Sequence, residues 1–279
     1  MTLTAYNHVP LPSFMYGTAW KKEATTRLVQ LAVASGFTAI DTANQLIHYQ
    51  KALVGEALQA LAKKGITRDR LFLQTKFTPV GGQDHRTPYD ASADLTTQVR
   101  QSFDSSLTHL HTEYVDSYVL HGPYQRQGLG KADWEVWAAM EALYQAGKTK
   151  MIGISNVTAG QLTQLCAQAK YKPMVVQNRC YAVLGWDREV REICQAHGII
   201  YQGFSLLTAN SAVLADPDIR TIAKRLGTGS AQIIFRFAMQ IGMLPLTGTT
   251  NPQHMKEDLQ AEQFALSPED IRRIETIAL

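Results

Sequence analysis

Four side chains have the makings of a proton-transfer site. Asp41 closes a short apolar run from Phe37 to Ile40, and Tyr49 stands in the polar stretch after it. Lys76 lies at the end of a second apolar run, Leu71 to Phe77, and His121 at the end of a third, Tyr114 to Gly122. A lysine at the end of a core strand is seldom buried without a partner. Asp41 is that partner if the two runs are neighbouring strands, and the buried pair would stay charged. An ammonium beside a phenol favours phenolate, so the tyrosine pKa of about 10 is expected to fall toward neutrality. Tyr49 would then act as a general acid near pH 7, with His121 orienting a substrate oxygen. Such a set, without metal ligands or a cysteine nucleophile, suits proton delivery to a carbonyl oxygen. The electron pair must come from elsewhere, and a reduced nicotinamide is the obvious source.

These groups need a scaffold that gathers strand ends. Short apolar runs at 14–20, 37–41, 71–77, 114–122, 150–156, 174–178, 199–205 and 243–248 read as eight strands. Helices are expected between them: Lys22 to Ser35, from Ala52 to about Lys63, Leu95 to Leu110, Trp134 to Ala146, about 158–170 and 187–197, near 217–241, and from Pro252. Ser267-Pro-Glu-Asp270 is a capping signal for a last helix reaching Leu279. Residues up to about Leu11 read as a short cover or hairpin. Alternating strands and helices predict a parallel sheet with right-handed crossovers, and eight units close into a (β/α)8 barrel. The expectation is one domain over 1–279, with a cover at about 1–12 and a C-terminal helix at about 267–279. The rival, a doubly wound open sheet, lacks a G-x-G-x-x-G after its first strand. Gly147-Lys148-Thr149 imitates the end of a phosphate-binding loop, but it follows a helix and position 142 is Ala.

Chemistry in such barrels sits at the C-terminal strand ends. The polar residues there are Asp41, Lys76, His121, Ser155, Asn156, Gln177 and Ser205. Any one alone is as well explained as a loop or helix cap; together they define a site.

Composition excludes several other classes. The net charge is +3 and no run of five like charges occurs, which argues against nucleic acid or an anionic membrane as partner. No apolar run approaches the ~20 residues that span a bilayer. Residues 1–8 lack the regions of a secretory leader. Three scattered cysteines, Cys166, Cys180 and Cys194, point to reduced thiols and a cytoplasmic location.

The ordered motifs Ile40-Asp-Thr-Ala43, Val54-Gly55, Thr75-Lys76, Leu120-His121, Gly147-Lys148 through Ile152 to Asn156, Val176-Gln177 and Gly248 to His254 resemble the aldo-keto reductase superfamily from Gly17-Thr18 to about Leu259. The resemblance implies a (β/α)8 barrel, NADPH (NADH possible) across its mouth, and reversible reduction of a small-molecule carbonyl to an alcohol. It places the catalytic tetrad at Asp41, Tyr49, Lys76 and His121. Ser155, Asn156 and Gln177 match the residues that hold the nicotinamide carboxamide and support its ring, and Phe204 the aromatic stacked on it. Gly17, Thr18, Asp41, Ser205 and Leu207 complete that end of the cofactor site. Gly248, Thr249 and Thr250 offer backbone N–H groups and hydroxyls to a phosphate at a helix N-terminus. His254 is a candidate near the 2′-phosphate, and Glu257 and Asp258 fall where the family contacts adenine. Trp20, Tyr49, His121 and Tyr124 face substrate.

Two departures matter. The family's tyrosine comes five residues after the aspartate, where this chain has Leu46; Tyr49 lies three residues later. The family's lysine and arginine after the eighth strand correspond here to Leu246 and His254. The loops Pro79 to Asp94 and Pro123 to Lys131 are left to shape the substrate pocket. The alternative reading is a cofactor-binding sensor or partner subunit with weak or no catalysis. A metal-dependent hydrolase would need more His and carboxylates at the strand ends.

Overall fold

The computed structural model of the chain describes residues 3–279; the parts of the leader and cover readings that rest on Met1 and Thr2 lie outside the described residues. Strands β1 (Leu3–Thr4) and β2 (Pro10–Leu11) pair antiparallel as the expected hairpin. The Tyr6 hydroxyl donates to the Lys172 carbonyl (2.5 Å) and the Asn7 amide to the Lys150 carbonyl (3.0 Å). Both acceptors lie toward the N-terminal ends of barrel strands, so the hairpin covers that mouth.

The units follow in order: β3 (Met15–Gly17), α1 (Thr25–Ser35), β4 (Ala39–Asp41), α2 (Lys51–Ala62), β5 (Phe72–Phe77), α3 (Leu95–Leu110), β6 (Val115–Leu120), α4 (Lys131–Gln145), β7 (Thr149–Ser155), α5 (Ala159–Gln168), β8 (Val175–Arg179), α6 (Arg188–His197) and β9 (Ile200–Phe204). After them come α7 (Ser211–Ala215), α8 (Pro217–Leu226), α9 (Ser230–Gln240), β10 (Met243–Thr247), α10 (Pro252–Leu259) and α11 (Pro268–Thr276). Strands β3 to β10 pair in chain order, all parallel, and β10 closes on β3. This is the expected (β/α)8 barrel.

Local chemistry sets the boundaries. The Asp94 carboxylate accepts from Thr97 N at 2.8 Å and starts α3. Ser267 and Asp270 form the expected reciprocal cap of α11. Gly36, at φ 117°, ends α1 in a conformation that costs a side-chain-bearing residue more. One expectation needs correction. Helix α4 begins at Lys131, a turn before Trp134, because the Asp133 carboxylate accepts from the backbone N–H of Gly130 (2.9 Å) and of Tyr124 (2.8 Å). The segment Ala182–Asp187 before α6 kinks, leaving helical backbone angles at Leu184, Gly185 and Trp186, and buries Trp186, whose indole N–H donates to the Ile274 carbonyl at 3.0 Å. Among the described residues no helix is long and apolar enough to cross a membrane.

Side-chain parity decides what the barrel interior holds. In the register Asp41 lies opposite Gln74, and Lys76 is two residues beyond. Side chains two apart share a face, so Gln74 and Lys76 both point inward beneath and beside Asp41. Gln177 lies opposite Gln202 in the same way on β8 and β9.

The first residue of α2 carries a buried charge problem. Lys51 is buried, its ammonium donates to Ser106 Oγ at 3.0 Å, and no carboxylate among the described residues pairs with it. Burial lowers its pKa well below the usual lysine range. The unfolded chain therefore binds the proton more tightly, and folding stability rises with pH from the depressed folded pKa up to the ordinary lysine range. We expect Lys51→Met to stabilise the fold by roughly 1–4 kcal/mol near neutral pH, the range seen when buried ionic groups become apolar. The gain should shrink as pH rises, which melting curves at neutral and alkaline pH will show.

Candidate active site

A cavity of about 1090 Å³ opens at the C-terminal ends of the strands. Its floor carries Asp41, Tyr49 and His121, with Lys76 behind Asp41. Lys76 is fully buried, and its ammonium donates to both Asp41 carboxylate oxygens (2.6 Å each) and to the Thr42 carbonyl (3.0 Å). Those three bonds use every N–H the ammonium has. It stands 5.3 Å from the centre of the Tyr49 ring. The Tyr49 ring lies 6.0 Å from the His121 ring, and its hydroxyl makes no hydrogen bond within the described residues.

The turn before α2 puts Tyr49 there. The backbone N–H groups of His48 and Tyr49 both donate to the Gln45 carbonyl (3.3 and 3.0 Å), so the chain coils once before the helix begins. His48 also lines the cavity, held at its rim: its Nδ1 bonds Gln45 Oε1 at 2.7 Å and its ring packs against Trp20 at 4.1 Å. Trp20 sits at φ 63° with its backbone N–H donating to the His48 carbonyl (2.7 Å), and it is 65% exposed.

The electrostatic expectation for Tyr49 is corrected. Burial, followed by the nearby Asp41 charge, raises the phenol's pKa above its ordinary value. Lys76 does not lower it, because the ammonium is matched by Asp41 and bonded away from the hydroxyl. Burial lowers the Lys76 pKa, while Asp41 opposes that shift. His121 is lowered to about 3, first by burial and then by the charge of Lys76. Its Nδ1 bonds Thr78 Oγ1 at 2.7 Å. Both effects favour the neutral imidazole, and the ring lines the cavity.

Beside this group stand two amide acceptors. Gln177 donates through Nε2 to Asp41 (3.2 Å) and Gln202 (3.0 Å), which leaves its Oε1 toward the cavity. Asn156, at φ 54°, donates through Nδ2 to the His121 carbonyl (2.8 Å) and Ser155 Oγ (3.2 Å), which leaves its Oδ1 free. Ser155 Oγ donates to the Gln177 carbonyl at 2.6 Å.

A model of the Aldo/keto reductase family matches residues 13–279. The chain belongs to the aldo/keto reductase family. It is 31% identical over 278 residues to "Uncharacterized oxidoreductase YtbE" of Bacillus subtilis, covering 98% of this chain and 91% of that protein. It is 30% identical over 281 residues to "Glyoxal reductase" of the same organism, covering 99% and 92%. A solved aldo/keto reductase structure from Brucella melitensis superposes with a TM-score of 0.84 at 26% identity, covering 100% and 99%. The protein is an oxidoreductase of a family that typically uses nicotinamide cofactors.

In this aldo/keto reductase most residues expected near cofactor or substrate do line the cavity. Gly17, Trp20, Tyr124, Phe204, Ser205 and Leu207 do so, as do Gly248, Thr249, His254, Glu257 and Asp258. Two do not. Thr18 is fully buried, with both its N–H and its hydroxyl donating to the Asp41 carbonyl (3.0 and 2.8 Å). Thr250 is exposed, outside the lining. Asp258 accepts from Thr247 Oγ1 at 2.8 Å, and burial raises its carboxyl to about 6. Of the two long loops, Pro79, Gly81 and Gly82 and then Pro123 and Tyr124 reach the cavity; His85 and Arg126 remain at the exposed surface.

Several lining residues were missed. Lys21 is bonded to the Gly248 carbonyl, and burial lowers its pKa. Its ammonium lies 3.2 Å from where a Cβ at Gly248 would stand, which puts a cation from the loop after β3 beside the segment after β10. Gly229 and Ser230 bring the N-terminus of α9 to the wall. Arg179 lies 5.4 Å from the Phe204 ring centre. No sequence signal announces Lys21, since its role depends on β10 closing against β3.

Proposed function

We propose that this aldo/keto reductase reduces an aldehyde or ketone with NADPH or NADH, and that Tyr49 is the proton donor. The observation that carries the reading is convergence: a phenol with no partner among the described residues, a neutral imidazole and two amide acceptors face one cavity. The residues fit the cofactor. Gln177 Oε1 and Asn156 Oδ1 suit the two N–H groups of a carboxamide, Phe204 offers an apolar ring face, and Lys21 and the N-terminus of α9 suit phosphate. When bound, the reduced nicotinamide supplies a hydride to the carbonyl carbon.

The chain's own groups manage the oxygen. With Thr78 donating to Nδ1, His121 carries its proton on Nε2 and donates it as a hydrogen bond to the carbonyl oxygen. Tyr49 releases its proton to that oxygen. An alkoxide resembles hydroxide, the base of water with a pKa of about 15.7, so even a phenol with a raised pKa remains a competent donor. Asp41 and Lys76 keep the floor charged and rigid. The sensor alternative leaned on the shifted tyrosine, and the turn at Gln45 to Tyr49 counts against it.

The test is hydride transfer across a panel of aldehydes, measured as cofactor consumption and alcohol formed. Equal amounts of both support the reading; cofactor binding with no turnover on any member overturns it. The pH dependence follows from the same groups. His121 is neutral above about 3, and the raised Tyr49 stays protonated well past neutrality. We expect kcat/KM for reduction to be flat from about pH 5 to 9, with no break near the ordinary histidine value of about 6.5. A break there means that another group lining the cavity titrates in the reaction, Asp258 or a different histidine.

A further inference from the structure

We propose that Gln74 and Gln202, buried under the cavity floor, are positioning residues that decide which end of the Gln177 amide faces the cofactor. The proposal rests on the nicotinamide reading above. Barrel interiors are normally filled by layers of Val, Ile and Leu. Here two uncharged amides, each 0% exposed, occupy facing positions on β5 and β9. A buried amide is costly unless bonded, and these are bonded to each other in both directions. Gln74 Nε2 donates to Gln202 Oε1 at 2.8 Å, and Gln202 Nε2 donates to Gln74 Oε1 at 3.0 Å.

The polarity of the whole relay follows from one group that can only accept. Asp41 Oδ1 receives Lys76 Nζ (2.6 Å), Gln74 Nε2 (2.8 Å) and Gln177 Nε2 (3.2 Å). An ionised carboxylate has no proton to give, so both glutamines must turn nitrogen toward it. Gln202 then presents its oxygen to both nitrogens, taking 2.8 Å from Gln74 and 3.0 Å from Gln177. Its own nitrogen is left for Gln74 Oε1. Every amide atom of Gln74 and Gln202 is engaged. The group left over is Gln177 Oε1, which must face the cavity as an acceptor. Without Gln202, Gln177 keeps only its 3.2 Å bond to Asp41, and a half-turn of its amide becomes accessible. The terminal torsion of Gln is soft and roughly two-fold, so this one long bond is all that would be left to choose the acceptor face.

The test asks whether cofactor discrimination, rather than stability, depends on the relay. Binding is measured by quenching of protein fluorescence with three probes. These are NADPH, its 3-acetylpyridine analogue, whose methyl ketone replaces the carboxamide N–H donors, and 2′,5′-ADP, which lacks the ring. NADH, its analogue and ADP replace them if the wild type prefers NADH. Wild type should favour NADPH over the analogue by about tenfold, the value of one or two hydrogen bonds. Gln202→Leu should reduce that ratio to about twofold or less by weakening NADPH alone, with 2′,5′-ADP binding unchanged. An unchanged ratio with intact 2′,5′-ADP binding overturns the proposal. If Gln202→Leu loses 2′,5′-ADP binding as well, its fold is disturbed and Gln74→Met is used. That variant frees the Gln202 amide to rotate while keeping a side chain of similar length. The same fall in ratio supports the relay, and an unchanged ratio overturns it. A wild type that binds neither dinucleotide removes the cofactor reading itself, and this proposal with it.

Discussion

Replacing Tyr49 by phenylalanine is expected to lower kcat by about 10²–10⁴-fold, the range for loss of a general acid. Cofactor affinity should change by less than about twofold and the melting temperature should stay within a degree or so, because removing a hydroxyl that has no partner leaves no other group unsatisfied. The structure makes the substitution unusually clean. The Tyr49 hydroxyl has no hydrogen-bond partner among the described residues, so its removal orphans nothing. The ring keeps its place 5.3 Å from the Lys76 ammonium and 6.0 Å from His121. A drop in kcat with constant KM and constant cofactor binding isolates the proton step. His48, one residue before Tyr49, also lines the cavity and is the nearest alternative donor, its ring held by Gln45 and Trp20. If Tyr49→Phe retains most of its turnover, the donor is misassigned and His48→Gln becomes the next variant to measure.

The second large effect concerns the pair beneath. Lys76→Met should destabilise the protein by about 3–5 kcal/mol, the cost of leaving a buried charge without its partner. Asp41 would keep Gln74 and Gln177 as donors but lose its counter-charge. The double variant Asp41→Asn, Lys76→Met removes both charges. The introduced asparagine amide would still offer an oxygen to the two glutamines, so most of the lost stability should return. Turnover should not return with it, since the Lys76 ammonium beside Tyr49 is gone in both. Urea melts of the two variants and wild type make the comparison. A double variant as unstable as Lys76→Met shows that hydrogen bonds, not charge balance, dominate the pair.

Much of the barrel was legible because the alternation of short apolar runs with amphipathic helices is a local property. Helix α3 was bounded correctly, since Asp94 caps it and its chemistry lies within a few residues. Helix α4 was placed a turn late because its cap comes from Asp133 reaching back to a glycine that has no side chain to signal. The Gln74–Gln202 pair left a faint trace. Gln74 and Lys76 are polar at a spacing of two inside an apolar strand, which puts two polar groups on one face. What the trace lacked was the partner across the barrel, 128 residues away.

Asp41, Lys76 and His121 could be assigned to strand ends from the chain alone, since that depends only on where each apolar run stops. Three matters were settled only by the folded molecule. One is that the Tyr49 ring lies beside Lys76 while His48 is tied to Gln45 and Trp20, because the backbone turns once at Gln45. Another is that Lys21 reaches Gly248, because closure brings β3 beside β10. The last is the sign of the Tyr49 shift. A linear sequence shows that a cation is near a phenol, but burial and the competing carboxylate depend on distance in three dimensions, and those decide which form is favoured.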